Sequence, residues 1–440
     1  LRLIFELIAL WSAIFALDDI ILGEYAMSRS PLLTLALVVG LCASSVKAEE
    51  TYEYYLTQLS KHPSVTSLLE QSVSFDSLSK SAFSLPDPQL ILGLDNVPIS
   101  DPSFDRFLPS SKVIGFRQAI PNPTVRENKS NLQKSQSKKQ RLIAEYQVRQ
   151  LKALFTRQLI ELQKVDELEK LLNEQLKLYR LVEKDLRGQL EAGKAVYGRF
   201  SEIDVERSDI EQQLNALRAE RVNIQEVLIE LVEAVPKITP PKVSPLPWKR
   251  GETSLYPTLI AYDSVIVSKN NIDIAKSDFK PNYGLQALYK QRESGDNFEG
   301  DDWFSIQASI SIPIWSRSNQ TPKLKAAKSM MRSAQSTYEQ SIRHWNQRMA
   351  SLAAEQKYAL ENIDLFKKKK KALKEMIAAA ERNYESGNTA LENVLDAQIN
   401  HLNIASKLVS QQSRYETLVV EFNSHIQTTK THSGGTHADQ

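Results

Sequence analysis

The sequence repeats itself once, and that duplication constrains the fold more than any other feature. Pro63 after His62 corresponds to Pro257 after Tyr256, Pro88 to Pro281, Pro121 in Ala-Ile-Pro to Pro313 in Ser-Ile-Pro, and Gly193 in Glu-Ala-Gly to Gly387 in Glu-Ser-Gly. The offsets are 194, 193, 192 and 194 residues. Four landmarks at one spacing describe two copies of a unit of about 190 residues. The first copy covers 49–234 and the second 254–426. The linker 235–253 carries five prolines between Val235 and Trp248, which forbid a continuous helix across it.

Each copy reads as helix, two strands, very long helix, tight turn, helix. Leu162, Val165, Leu168, Leu172, Leu176, Tyr179, Val182, Leu186 and Leu190 step by three or four residues, the spacing of a left-handed coiled-coil seam. Leu151, Phe155 and Leu159 lie off that stripe and predict contacts on a second side. No Gly or Pro interrupts 124–187, so the helix is expected to run to a turn at Gly193, roughly 100 Å at 1.5 Å per residue. Shorter helices over about 49–84 and 201–235, stacked end to end, would match its length. The second hairpin turns near Gly387.

Strands are expected near 89–97, 112–120, 282–290 and 303–312. In the last, Phe304, Ile306, Ala308, Ile310 and Ile312 fall on one face and Ser305, Gln307, Ser309 and Ser311 on the other. Its partner sets Tyr283, Leu285, Ala287 and Tyr289 against Gly284, Gln286 and Lys290, and the first copy offers Leu90, Leu92 and Leu94, then Ile114 and Phe116. Alternation over ~10 residues suits a transmembrane β-strand, whose backbone pairs within the sheet while only outward side chains meet lipid. A half-buried soluble sheet alternates in the same way. Export and the lack of another domain to cover the sheet favour the membrane. Pro98–Ser110 and Gln291–Asp302 then read as outer loops, with Asp296, Glu299, Asp301 and Asp302 as solubilising charges. Four strands cannot close a barrel, because the smallest membrane barrels have eight, so the chain must associate with copies of itself.

Export is read from residues 27–48. Met27-Ser-Arg-Ser-Pro supplies a charged start, Leu32–Cys42 an apolar run too short to span a bilayer, and Val46-x-Ala48 a cleavage site. Residues 1–26, with the apolar stretch Leu7–Leu17, read as an upstream extension, and 427–440 as a flexible tail. Leu41 stands where lipidation at Cys42 would want a small residue, which argues against a lipid anchor there.

Composition removes several functions. Lys and Arg number 55 against 53 Asp and Glu, which leaves no basic footprint for nucleic acid. One Cys cannot close an intrachain disulfide, and the six His show no His-Glu-x-x-His spacing, so neither metal catalysis nor a cofactor is expected. No nucleophile elbow or phosphate loop occurs, so nothing supports a hydrolase. A periplasmic adaptor should carry one hairpin nested in small β-domains, whereas two hairpins are present here.

Tyr384-x-x-Gly387, Asn393-Val394-Leu395-Asp396-Ala397-Gln398, Pro281-x-x-x-Leu285 and Ser311-Ile312-Pro313-Ile314 together resemble the outer-membrane efflux factor (TolC-like) family across residues 49–426. Leu85-Pro86-Asp87-Pro88, leading into Leu92-Gly93-Leu94-Asp95-Asn96, resembles the branch serving heavy-metal cation exporters. The resemblance implies a mixed α and β membrane protein: a homotrimer forming a 12-strand barrel in outer-membrane lipid, continued by a coiled-coil tunnel into the periplasm. It implies docking on a periplasmic adaptor (membrane fusion) protein and an inner-membrane pump of the RND type, with no enzymatic activity. Multidrug efflux and type I protein secretion are the alternative cargo classes.

In that family the tunnel closes at its periplasmic end through inward carboxylates and polar links beyond the tip glycines. Asp396 matches one carboxylate by motif position; the other falls on Asn393, a departure that weakens a cation-attracting ring. Thr389 stands where some members have a gating arginine. Asp204-Val205 occupies the equivalent place in the first copy, but eleven residues past Gly193 rather than six, which suggests a five-residue insertion within 194–202. Gly193, Gly387 and Tyr384 are expected at the helical tips facing the adaptor. The run Lys367–Lys371 reads as a solvated helix face.

Overall fold

The structure is a computed structural model that describes residues 51–428 apart from positions 101 and 108. The upstream extension, the export signal with Cys42, and the tail from 429 lie outside the described residues.

The described residues form eleven elements in the duplicated order. The first copy holds α1 (Tyr52–Leu59), α2 (Pro63–Phe83), β1 (Gln89–Asp95), β2 (Ser111–Ile120), α3 (Pro123–Glu191) and α4 (Tyr197–Val232). The second holds α5 (Tyr256–Ser277), β3 (Asn282–Gln291), β4 (Trp303–Ser311), α6 (Gln320–Glu385) and α7 (Leu391–His425). The single helix expected over 49–84 is two helices. Pro63 lacks the N–H that would continue α1, and the His62 ring nitrogen instead accepts from the Ser64 N–H at 3.3 Å, capping a new helix with proline at its first position. In the same way Asn122 Oδ1 accepts from Thr124 N–H at 2.8 Å and Pro123 opens α3, a helix of 69 residues.

The helices form one layer around α3. In its N-terminal half α3 lies between α2 and α5, and α6 packs on the far side of α5; in its C-terminal half it lies between α4 and α7, and α6 packs on the far side of α7. Stacking of α1 onto α4 confirms the expected end-to-end arrangement of short helices along the long one. So α2 and α4 form one edge and α6 the other.

The coiled-coil seam is where the 3.5-residue period placed it. Val165, Leu172, Tyr179, Val182 and Leu186 are buried against Ile203, Ile210, Leu214, Leu217 and Leu228 of α4. Each fully buried aliphatic side chain contributes about 1.5–3 kcal/mol relative to exposure. The off-stripe pair Phe155 and Leu159 is buried under Tyr52 and Tyr55 of α1, with ring centroids of Phe155 and Tyr55 5.6 Å apart. Ion pairs clip the edge of this seam: Arg221 to Asp166 at 2.7 Å and Lys164 to Glu220 at 2.8 Å. Towards the sheet the packing changes character. Ser72 meets Ser137 at 3.1 Å and Ser79 meets Ser130 at 2.8 Å, one heptad apart, so α2 and α3 approach through buried hydroxyl pairs instead of leucines.

The strands make one antiparallel sheet in the order β1-β2-β3-β4. Its register aligns Leu92, Ile114, Tyr289 and Phe304 in one cross-strand row and Leu90, Phe116, Ala287 and Ile306 in the next. The opposite face carries Arg117, Gln286 and Gln307 in register, with Arg117 Nε donating to Gln286 Oε1 at 2.8 Å. Among the described residues, β1 and β4 have no partner on their outer sides.

The linker runs without helix or strand and packs back along the helices. Leu246 and Trp248 lie against Phe422 and Leu255, and the Leu246 N–H donates to Asn423 Oδ1 at 2.8 Å. The Gln427 N–H donates to the Ser254 carbonyl at 3.0 Å, which anchors the end of α7 beside the start of the second copy.

Candidate functional site

Both hairpin tips close with the same backbone device. Gly193 has φ of 83° and Gly387 has φ of 74°, in the left-handed region where a Cβ is disfavoured. The Gly193 N–H donates to the Leu190 carbonyl at 2.9 Å and the Lys194 N–H to the Gln189 carbonyl at 3.0 Å. The Gly387 N–H donates to the Tyr384 carbonyl at 2.9 Å and the Asn388 N–H to the Asn383 carbonyl at 2.8 Å. This paired bonding satisfies the last helix carbonyls and reverses the chain. Tyr384 therefore serves the turn through its backbone, while its ring is exposed.

Three residues separate each glycine from the next helix, 194–196 and 388–390, and α4 and α7 are 36 and 35 residues long. The expected five-residue insertion is absent. Equal turns set the offset at 194, so Arg199 answers to Asn393 and Glu202 to Asp396, and Asp204 sits further up α4 than Asn393 does on α7.

Arg199 is the residue that organises the tips. Its Nε donates to Glu392 Oε1 at 2.8 Å, its Nη2 to Asp396 Oδ1 at 3.2 Å and its Nη1 to Glu202 Oε2 at 2.9 Å, with Glu206 at 3.8 Å. One guanidinium thus faces four carboxylates, two from its own helix and two from the other hairpin. Burial works against its charge, yet the bonds to Glu202 and Glu392 hold it protonated more firmly than a free arginine. Burial raises the Asp396 carboxyl above the ordinary aspartate value, and Arg199 pulls the other way. Tyr179 beneath them is pushed up to about 12 by burial and by Glu206. Leu395 and Ile399 of α7 join the core of the first hairpin, so the two tips share apolar packing as well as the ion cluster.

The other expected site residues behave differently. Asn393 is exposed and its Nδ2 donates to Thr389 Oγ1 at 2.6 Å, a bond within one turn. Asp204 is exposed and its carboxylate has no ion-pair partner among the described residues. The structure brings Asp396 into a cluster, leaves Asn393 and Asp204 outside it, and adds Arg199, Glu202, Glu206 and Glu392. No group of residues suited to a metal ion occurs among the described residues.

At the other end of the helices, no described residue covers the apolar face of the sheet. Leu90, Leu92 and Leu94 are 68%, 69% and 68% exposed, and Phe304, Ile306, Tyr289, Phe116 and Ile114 are exposed beside them. No described helix is long and apolar enough to cross a membrane.

Residues 264–421, nearly all of the second copy, match the family model for outer membrane efflux proteins. The structure is similar to the outer membrane protein VceC of Vibrio cholerae, with a TM-score of 0.68 at 15% identity over 85% of this chain and 95% of that one. The fold is that of the outer-membrane efflux channels. The open-state MtrE outer membrane channel of Neisseria gonorrhoeae gives a TM-score of 0.70 at 16% identity over 85% of this chain and 88% of its own. The CmeC outer membrane channel of Campylobacter jejuni gives 0.61 at 14% identity over 91% and 93%. No protein with a curated description matches the sequence.

Proposed function

We propose that the chain is the outer-membrane exit duct of an export system. Three copies close a barrel of 12 strands in lipid, and their helices continue it as a tunnel into the periplasm. The observation that carries this reading is the apolar sheet face that the described residues leave uncovered, bounded by two edges that they leave unpaired. A chain with such a face and such edges is satisfied only when lipid covers the first and another copy pairs with the second.

Energy comes from partners: an inner-membrane pump of the RND type, reached through a periplasmic adaptor that grips the tips at Gly193 and Gly387. The bore is controlled there, where a small lateral movement of a helix turn changes the aperture most. Arg199 latches the first hairpin to Glu392 and Asp396 of the second, and release of that latch lets the tips part. Four carboxylates around one guanidinium leave the cluster net negative, which concentrates cations at the aperture. Heavy-metal cations are the cargo this charge favours, in keeping with the Leu85–Asn96 resemblance.

Fractionation of an expressing cell tests the reading. The protein should sediment with outer membranes and run as a trimer after detergent extraction. A protein that stays soluble and monomeric without detergent would overturn it.

A further inference from the structure

The four strands carry four charged side chains, Asp95, Lys112, Arg117 and Lys290. Three of them are paired. Lys290 bonds Asp95 across the sheet, and Lys112 meets Glu293, in the loop after β3, at 2.6 Å. Arg117 is the exception. Its Nε donates to Gln286 Oε1 at 2.8 Å, and among the described residues it has no carboxylate partner and its two Nη groups have no acceptor. A guanidinium stays charged at any pH a cell meets, so this charge is permanent and uncompensated.

Its surroundings are specific. Gln89, Arg117, Gln286 and Gln307 stand in register, one from each strand, on the face opposite the apolar rows. The next row on that face towards the loops is Ile91, Gly115, Leu288 and Ser305, and the next towards the helices is Ala119, Gly284 and Ser309. Neither carries a charge, and Gly115 and Gly284 have no side chain to cover the guanidinium. Because Gln286 Oε1 already accepts from Arg117, its Nε2 remains as a donor beside the open Nη groups. A guanidinium fork, carboxamide donors and no fixed negative charge are the chemistry that receives an anion such as a carboxylate or phosphate.

We propose that Arg117 is a selectivity-determining residue of the barrel, forming with Gln89, Gln286 and Gln307 an anion-attracting collar in the lumen. The inference rests on the duct reading, which turns the apolar face to lipid and this face to the bore. Threefold symmetry then sets three Arg117 guanidinium groups at one height around the bore. The duct carries opposite fixed charges at its two ends, carboxylates at the tips and guanidinium groups in the barrel. The 69 residues of α3 hold these ends roughly 100 Å apart, some ten Debye lengths at about 0.1 M salt, so each field acts by itself. The collar opposes passive entry of free cations from the outer side and lets small anions pass.

Reversal potentials across a gradient of potassium chloride test it, with the full chain in planar bilayers, in the wild type and in Arg199→Ala. At about 0.01 M salt, where the Debye length is about 30 Å, Arg117→Gln should raise the cation-to-anion permeability ratio at least twofold and Arg117→Glu should raise it further. Arg117→Lys should stay near the wild type. At about 1 M salt, where the Debye length is about 3 Å, the differences should collapse. Gln307→Arg, which adds a guanidinium to the same row, should move the ratio the opposite way, and it decides alone if the Arg117 variants fail to assemble. A conducting channel whose permeability ratio is unmoved by Arg117→Gln, or by Gln307→Arg, would overturn the inference and leave the duct standing. A wild-type protein that conducts nothing would overturn both.

Discussion

Arg199 Nη2 donates to Asp396 Oδ1 at 3.2 Å, although the two residues are 197 positions apart and belong to different copies of the repeat. The same guanidinium holds Glu392 at 2.8 Å, so a single side chain ties the tip of one hairpin to the tip of the other. A charge-assisted pair made by a half-buried arginine restricts the relative motion of two helix starts more than solvated pairs do.

Arg199→Ala should therefore raise single-channel conductance several-fold, and Asp396→Ala should raise it less, because Glu392 still holds the guanidinium. Planar-bilayer recording checks this. Equal conductance in wild type and Arg199→Ala would remove the latch. Because burial raises the Asp396 carboxyl, cation selectivity should begin to fall at a pH above the ~3.9 of free aspartate.

The two faces of the sheet should respond oppositely to charge. Ile306→Arg places a guanidinium on the exposed apolar face, at a cost of about 2–4 kcal/mol near the bilayer midplane, and should block membrane assembly. Ser305→Arg, on the other face, should assemble normally. Outer-membrane fractionation of the two variants separates the outcomes, and equal assembly would contradict the lipid-facing assignment.

A buried histidine sets an acid limit on stability. His425 is packed against Trp345, with ring centroids 4.6 Å apart, and Tyr146 hydrogen-bonds its Nδ1 at 2.8 Å. Burial lowers its pKa to about 4, with Arg348 adding to the fall and Glu421 opposing it. The unfolded chain, with a histidine near 6.5, binds this proton more readily than the fold does. Stability is thus present above about 6.5 and lost as pH falls towards about 4, by on the order of 2–3 kcal/mol. Thermal melting between pH 7 and 4.5 should show the loss, and His425→Gln should flatten it.

Leu228 is fully buried between α4 and α3, so Leu228→Ala should cost about 2–5 kcal/mol in chemical unfolding. Gly387→Ala meets open space but a φ of 74°, so it should cost only about 1–2 kcal/mol, from backbone strain alone. A larger loss at Gly387 than at Leu228 would mean that the turn, not the seam, limits stability.

Period and punctuation carried most of the fold. The leucines from Leu162 to Leu190 and the alternation of Phe304 to Ile312 have one geometric solution each, and both elements stand where those patterns put them. The break before Pro63 was missed because the apolar residues continue across it, and only the cap at His62 marks the boundary. Arg199 was missed for a different reason. Its four partners lie at sequence distances of 3, 7, 193 and 197 residues, and nothing local distinguishes it from a solvated arginine. The signal that could have found it was the 194-residue offset of the tip glycines, which sets Arg199 against Asn393. Aligning Asp204-Val205 with Asn393-Val394 instead required an insertion, and that hid it. The serine pairs between α2 and α3 were equally silent, because a buried hydroxyl and an exposed one look alike in sequence.

The most direct measurement is single-channel recording of the purified protein, residues 49–440, in planar bilayers, with divalent cations titrated from the tip side. The duct account predicts a small, cation-selective conductance that divalent ions block and that Arg199→Ala enlarges. A protein that remains soluble without detergent and conducts nothing would contradict it.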